Sequence, residues 1–245
     1  MAAVLFGNAQ NPRKFEVASI KPSAPDSGTE TRRYPGGRFT ATGVTLKRLI
    51  QRGYEVQDFQ IDGGPKWVNS ERYDVVAKAG ENLGLDPQID SLIQALLADR
   101  FQLKFHRETR EMLTYSLTAD KSGPKLHANT TAPGPRWSLE RGLLTGQRIP
   151  MSMFASDMLT KALGSVVVDH TGLAGNFDLE LKWIPDEARS AVPRIDKDSD
   201  SASSRDIPGP SIFAAIRDQL GLKLEAHKGP VEVLVIDGAE RPTEN

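Results

Sequence analysis

The residues best suited to chemistry fall in one short stretch, from Val168 to Asp178. Asp169, His170 and Thr171 set a carboxylate, an imidazole and a hydroxyl side by side, and Asn176 and Asp178 follow. Three readings stand. In a hydrolytic one, His170 is a general base oriented by a carboxylate, with Asp169 and Asp178 beside it. Backbone amides around Gly172–Gly175 would then face a developing oxyanion. In a metal reading, Asp169, Asn176, Asp178 and turn carbonyls make an oxygen cage of the kind calcium takes. In a structural reading, Asp169 and Thr171 satisfy turn amides while Gly172 and Gly175 take positive φ. A second cluster, Tyr54, Trp67 and Tyr73, lies around an earlier turn. Such rings either line a ligand groove or close a core over a small sheet.

Other chemistries are excluded by what the chain lacks. With no Cys there is no thiolate nucleophile, no disulfide and no Cys-ligated metal. The four His (His106, His127, His170 and His227) are far apart in sequence, so zinc spacings are absent. Gly164-Ser165 is an ordinary turn rather than a nucleophile elbow, and Gly36-Gly37 and Gly63-Gly64 lack the pattern of a phosphate loop. His106 shares a solvated strand face with Gln102 and Lys104, His127 lies in a linker, and His227 in a hairpin turn before Gly229-Pro230. The 245 residues are 38% apolar, with 31 Lys+Arg against 32 Asp+Glu. That near-neutral balance gives no reason to expect nucleic acid as a partner. No apolar run approaches the roughly 18 residues of a membrane helix, so no membrane insertion is expected.

The elements that must position these residues repeat along the chain. FTATGVTL (39–46) and GLLTGQRI (142–149) each end an extended run at Thr-Gly and lead into a helix. Thr45 caps the first helix and Ser152 the second. Each helix is followed by a short strand, a glycine-rich turn and another strand: Phe59–Ile61 then Tyr73–Ala77, and Val166–Val168 then Phe177–Leu181. A second helix follows. One begins at Asp86-Pro87 with the stripe Ile89, Leu92, Ile93, Leu96, Leu97, the other at Pro210-Ser211 with Ile212, Ala215, Ile216, Leu220. Two strands close each unit, with Phe101, Leu103, Phe105 matching Leu220, Leu222, Leu224, and Tyr115, Leu117 matching Leu234, Ile236. The expectation is an α+β fold of two similar β-α-β-β-α-β-β repeat units, with small mixed or antiparallel sheets covered by helices.

The boundaries follow. Residues 1–14 read either as the remnant of a signal peptide or as a frayed terminus. An N-terminal strand, a loop and unit one occupy 15–120, and a linker 121–141. Unit two occupies 142–238 with a mobile loop at 185–209, and 239–245 is a polar tail.

Several segments carry a family resemblance. FEVASIKPS (15–23), YPGGRF (34–39), TLKRLIQRGYEVQDFQIDGGPKWVNSERYDVVAKA (45–79), LLADRFQLKFHRETREMLTYSL (96–117), KSGPKL (121–126), VVDHTGLAGNFDLELKW (167–183) and LGLKLEAHKGPVEVLVIDGAERPTEN (220–245) resemble a soil-associated family expanded in Acidobacteria. That family is catalogued as a domain of unknown function. The resemblance implies an exported protein, periplasmic or secreted, and implies no established reaction or catalytic residues. Residues 45–79 also resemble the short N-terminal domain of secretins and TonB-dependent receptors, which implies a periplasmic interaction module.

The combined expectation is an extracytoplasmic binding or interaction module for a small-molecule or protein ligand, with Tyr54, Trp67 and Tyr73 in contact with it and no cofactor. The alternative is a hydrolase of a small ester or lactone, of the acyl-homoserine type for example. It would use Asp169, His170 and Asp178 with a divalent metal such as calcium.

Overall fold

The computed structural model describes residues 14–80, 88–131, 134–185 and 209–243. Residues 1–13, the expected Asp86-Pro87 cap and nearly all of the expected 185–209 loop lie outside the described residues. The chain is α+β and divides into two compact units. The first comprises Met1–Arg110 and Glu232–Asn245, the second Glu111–Val231.

In the first unit, β1 (Phe15–Pro22), β2 (Glu30–Tyr34), β3 (Arg38–Thr45) and β5 (Arg72–Ala79) form an antiparallel sheet of order β1-β5-β3-β2. Its inner residues alternate with outer ones, so Ile20, Phe39, Ala41, Val75 and Ala77 are buried on one face. Helix α1 (Leu46–Tyr54) starts where the Thr45 hydroxyl accepts from the Arg48 amide at 3.2 Å. A one-turn 3₁₀ segment (Asp58–Gln60), strand β4 (Ile61–Gly63) and helix α2 (Trp67–Ser70) lead back to β5. Helix α3 (Gln88–Arg100) buries the whole expected stripe Ile89, Leu92, Ile93, Leu96 and Leu97.

The second unit holds β7 (His127–Ala128), β8 (Arg136–Glu140), β9 (Leu143–Pro150) and β11 (Asn176–Lys182), again antiparallel, in the order β7-β11-β9-β8. Its first helix is built from α4 (Met151–Met153), a π-helical stretch (Phe154–Leu159) and α5 (Thr160–Leu163). The buried Thr160 hydroxyl donates to the Ala155 carbonyl and accepts from the Val167 amide at 2.9 Å, tying the helix to β10 (Val167–Asp169). Helix α6 (Ile212–Leu220) is capped by Ser211, whose hydroxyl accepts from the Ala214 amide.

Two long strands remain, β6 (Lys104–Ala119) and β12 (Leu222–Gly238), in a sheet of order β10-β6-β12-β4. Each begins in one unit and ends in the other. In the first unit, β4 runs parallel to β12 with Ile61 beside Leu234; in the second, β10 runs parallel to β6 with Val167 beside Tyr115. Tyr115 and Leu234 are 119 positions apart, Ile61 and Val167 106. The strand beside each short strand thus comes from the opposite half of the chain, in matching register.

This path corrects several sequence expectations. The two closing strands of each half are one continuous strand, since no turn residue interrupts residues 104–119. Gly229-Pro230 does not turn; β12 runs straight through it, and His227 sits on a strand. Gly229 serves close approach instead, because a Cβ there would lie 2.9 Å from the Thr114 hydroxyl. The linker at 121–141 supplies β7 and β8 to the second sheet, and the unit boundaries fall at 110/111 and 231/232. Pro150, not Ser152, is the N-cap of α4 and offers no side-chain bond.

Candidate functional site

The turn from β10 to β11 is tightly self-bonded. Asp169 accepts from the Thr171 amide at 2.9 Å and from its hydroxyl at 2.7 Å, and that hydroxyl accepts from the Leu173 amide. Gly172 and Gly175 have φ of 68° and 103°. His170 is exposed; its amide donates to the Leu117 carbonyl and its Nδ1 lies 3.1 Å from the Ser116 hydroxyl.

Asp178 belongs to a different arrangement. In β9, Gln147 and Arg148 together oppose this one residue of β11, making a β-bulge. Arg148 takes φ of 56°, and its amide donates to Asp178 Oδ1 at 2.9 Å. The Asn129 side-chain amide donates to both oxygens of the same carboxylate. Asn176 is held through its backbone, its carbonyl accepting from the Asn129 amide. Asp178 therefore meets Arg148 and Asn129, whereas Asp169 meets Thr171. Among the described residues, no group of three or more His, Asp or Glu is arranged to hold a metal ion.

The first unit has the same bulge. Thr42 and Gly43 of β3 oppose Asp74 of β5. Gly43 has φ of 60°, and Asp74 Oδ1 accepts from its amide at 2.8 Å and from the Ser23 hydroxyl at 2.5 Å. A bulged amide has no ladder partner, and a carboxylate on the neighbouring strand supplies one. The sequence analysis matched Gly43 with Gly146; the bulges match it with Arg148.

The aromatic residues separate. Tyr73, 4% exposed, stands edge-on between Trp67 and Phe101, with ring centroids 6.5 and 5.4 Å away. Its hydroxyl donates to Glu71 at 3.0 Å, and burial together with that carboxylate pushes its pKa up to about 12. Arg241 grips Glu71 with two nitrogens and lies 5.3 Å over the Trp67 ring. Tyr54 packs instead on Phe105 at 4.8 Å, and burial raises its pKa. Sequence reading missed Glu71 and Arg241, because nothing in their 170-residue separation links them.

A second cluster of charged side chains lies on a strand face expected only to be solvated. On the exposed side of β6, His106 Nδ1 lies 2.8 Å from Asp237 and its Nε2 3.1 Å from Glu108. Arg110 bonds Glu108 and reaches Asp62 at 2.6 Å, and Arg107 pairs with Glu232. Bonds first to Glu108 and then to Asp237 hold the His106 pKa above its usual range. His106 and then Arg110 lower Glu108, and Arg110 lowers Asp62. The chain Asp237–His106–Glu108–Arg110–Asp62 joins β12, β6 and β4 by alternating charge.

No helix among the described residues is long and apolar enough to cross a membrane. In comparison with known proteins, one family, described as "Protein of unknown function (DUF3738)", matches residues 47–239. No curated protein and no solved structure matches.

Proposed function

The chain belongs to that family of unknown function, and from this premise we propose that it is an exported, internally duplicated binding module without catalysis. One observation carries the reading. The carboxylates best suited to orient His170 are engaged elsewhere, Asp169 by Thr171 and Asp178 by Arg148 and Asn129. In triad-type hydrolysis the base is oriented by a third group within hydrogen-bond reach, and His170 faces a serine hydroxyl instead. The duplication is supported by the equal sheet orders, the paired bulges and the matching registers of β4 and β10. The family resemblance supports export, and fractionation of the source cell tests it: a cytoplasmic product would remove that part.

The test of the whole reading is turnover. The protein should show no hydrolysis above buffer on ester and lactone panels, with or without calcium, and His170→Ala should change nothing. Hydrolysis reduced about 10²-fold or more by His170→Ala, the scale of a lost general base, would establish the hydrolase instead.

A further inference from the structure

Resting on the binding-module reading, we propose that the open face of the β1-β5-β3-β2 sheet docks an acidic segment of a partner protein. The sheet register places its outer residues in three rows. The first is Val17, Lys78, Arg38 and Tyr34; the second is Ser19, Val76, Thr40 and Arg32. The third holds Lys21, Asp74 and Glu30 around the bulge. The opposite face is the core, so these side chains point away from it. Val17 and Val76 are 63% and 48% exposed, and Lys78, Arg38 and Arg32 are exposed as well.

The first two rows contain three cations and no carboxylate. Both carboxylates of the third row are engaged, Asp74 by Ser23 and Gly43, and Glu30 by Arg32 at 2.5 Å. Among the described residues no ion pair forms on Lys78 or Arg38; Arg38 lies 5.3 Å over the Tyr34 ring. Lys78 and Arg38 are direct cross-strand neighbours. Like charges placed so destabilise a sheet, and the Tyr34 ring under Arg38 leaves both without a carboxylate partner among the described residues. An external carboxylate would relieve the repulsion. The equivalent face of the second unit is different: Asp178, Glu180 and Glu140 stand there with Lys182 and Arg136, and Lys182 pairs with Glu180.

The mixture on the face selects the partner's class. Arg32, Arg38 and Tyr34 are of types enriched at protein contact surfaces, and the exposed Val17 and Val76 beside them offer apolar area to a protein partner. A polyanionic glycan offers nothing apolar to Val17 and Val76. A lipid surface gains only about 1 kcal/mol per basic residue, too little from the face's four cations, one of them paired with Glu30, to hold a protein.

The experiment uses the whole protein and three probes: a random Glu–Tyr copolymer, dextran sulfate, and phosphatidylglycerol vesicles. The copolymer should bind, more weakly as salt rises. Lys78→Glu should weaken it about tenfold or more, Arg38→Gln by less, and Lys182→Glu not at all. Lys78→Glu also creates an ion pair with Arg38, so its Tm should hold or rise, separating lost binding from lost folding. Copolymer binding indifferent to Lys78→Glu, or absent, overturns the face, as does binding of dextran sulfate or vesicles alone. Turnover sensitive to His170→Ala would overturn the binding module itself, and it is read in a separate assay.

Discussion

In the first unit the bulged residue with positive φ is Gly43, and in the second it is Arg148. After α3 the left-handed residue is Gln102; 119 positions later, after α6, it is Gly221. The two units thus place the same backbone demand at matching points and meet it with different side chains. Asp74 and Asp178 are the constant, each accepting from the bulged amide. The exposed sheet positions diverge freely. The first unit carries the His106 charge chain and the cationic face, while at corresponding places the second has Val168, 41% exposed, and a face rich in carboxylates. Backbone geometry is held by hydrogen bonds that cannot be lost cheaply, whereas a solvated side chain costs little to replace. Functional difference between the units should therefore sit on these outer surfaces.

The largest test of the comparison concerns the exchanged strands. A protease site introduced near Asn129 would cut the chain into two fragments. They should still elute as one species, since the first unit needs 232–238 from one fragment and the second needs 111–119 from the other. Separation in non-denaturing buffer would break the equivalence of β4 and β10.

Next in size are the left-handed glycines. A Cβ on Gly43 would lie 2.3 Å from the Gly28 carbonyl oxygen, and one on Gly221 would lie 2.1 Å from the Gly123 carbonyl oxygen. Each Gly→Ala change should cost about 2 kcal/mol or more in urea unfolding. The mirror change, Gln102→Gly, should be neutral or stabilising by up to about 1 kcal/mol. A strongly destabilised Gln102→Gly would show that position to need its side chain.

The two carboxylate clamps should then behave alike. Asp74→Ala and Asp178→Ala each leave a bulged amide unpaired, at about 1–3 kcal/mol. A silent Asp178→Ala beside a costly Asp74→Ala would mean the second bulge is held by other contacts.

The smallest effect is that of pH on the charge chain. His106 has a raised folded pKa. Its stabilising share is complete below the unfolded value of about 6.5 and fades as pH rises through the folded one. Glu108 and Asp62 are lowered, so theirs is present above the unfolded carboxylate value and fades as pH falls through the folded one. Exposure keeps all of it small. An NMR titration of His106 should have its midpoint above about 6.5, moving down in Glu108→Gln; a midpoint indifferent to Glu108 would dissolve the chain.

Much of this was legible in the residues. The apolar stripe of α3, the Thr45 cap and the start of a helix at Pro210-Ser211 depend on neighbours a few positions away. The aromatic trio was only half legible. Trp67 and Tyr73 do meet, but Tyr54 turns to Phe105, because Tyr54 ends helix α1 and where a helix packs is not set by proximity in sequence.

By itself the sequence determined the α+β class and the sites of its main helices, since capping and apolar periodicity act over a few residues. Only tertiary structure decided which strand closes which unit. Gly229-Pro230 has the composition of a turn, yet the chain stays extended there, where Gly229 admits the Thr114 hydroxyl. Asp178 shared a stretch of eleven residues with His170, and a bulge amide on another strand took its carboxylate. A hydrogen-bond acceptor goes to the donor that folding leaves without a partner, and which donor that is depends on strands far apart in the chain.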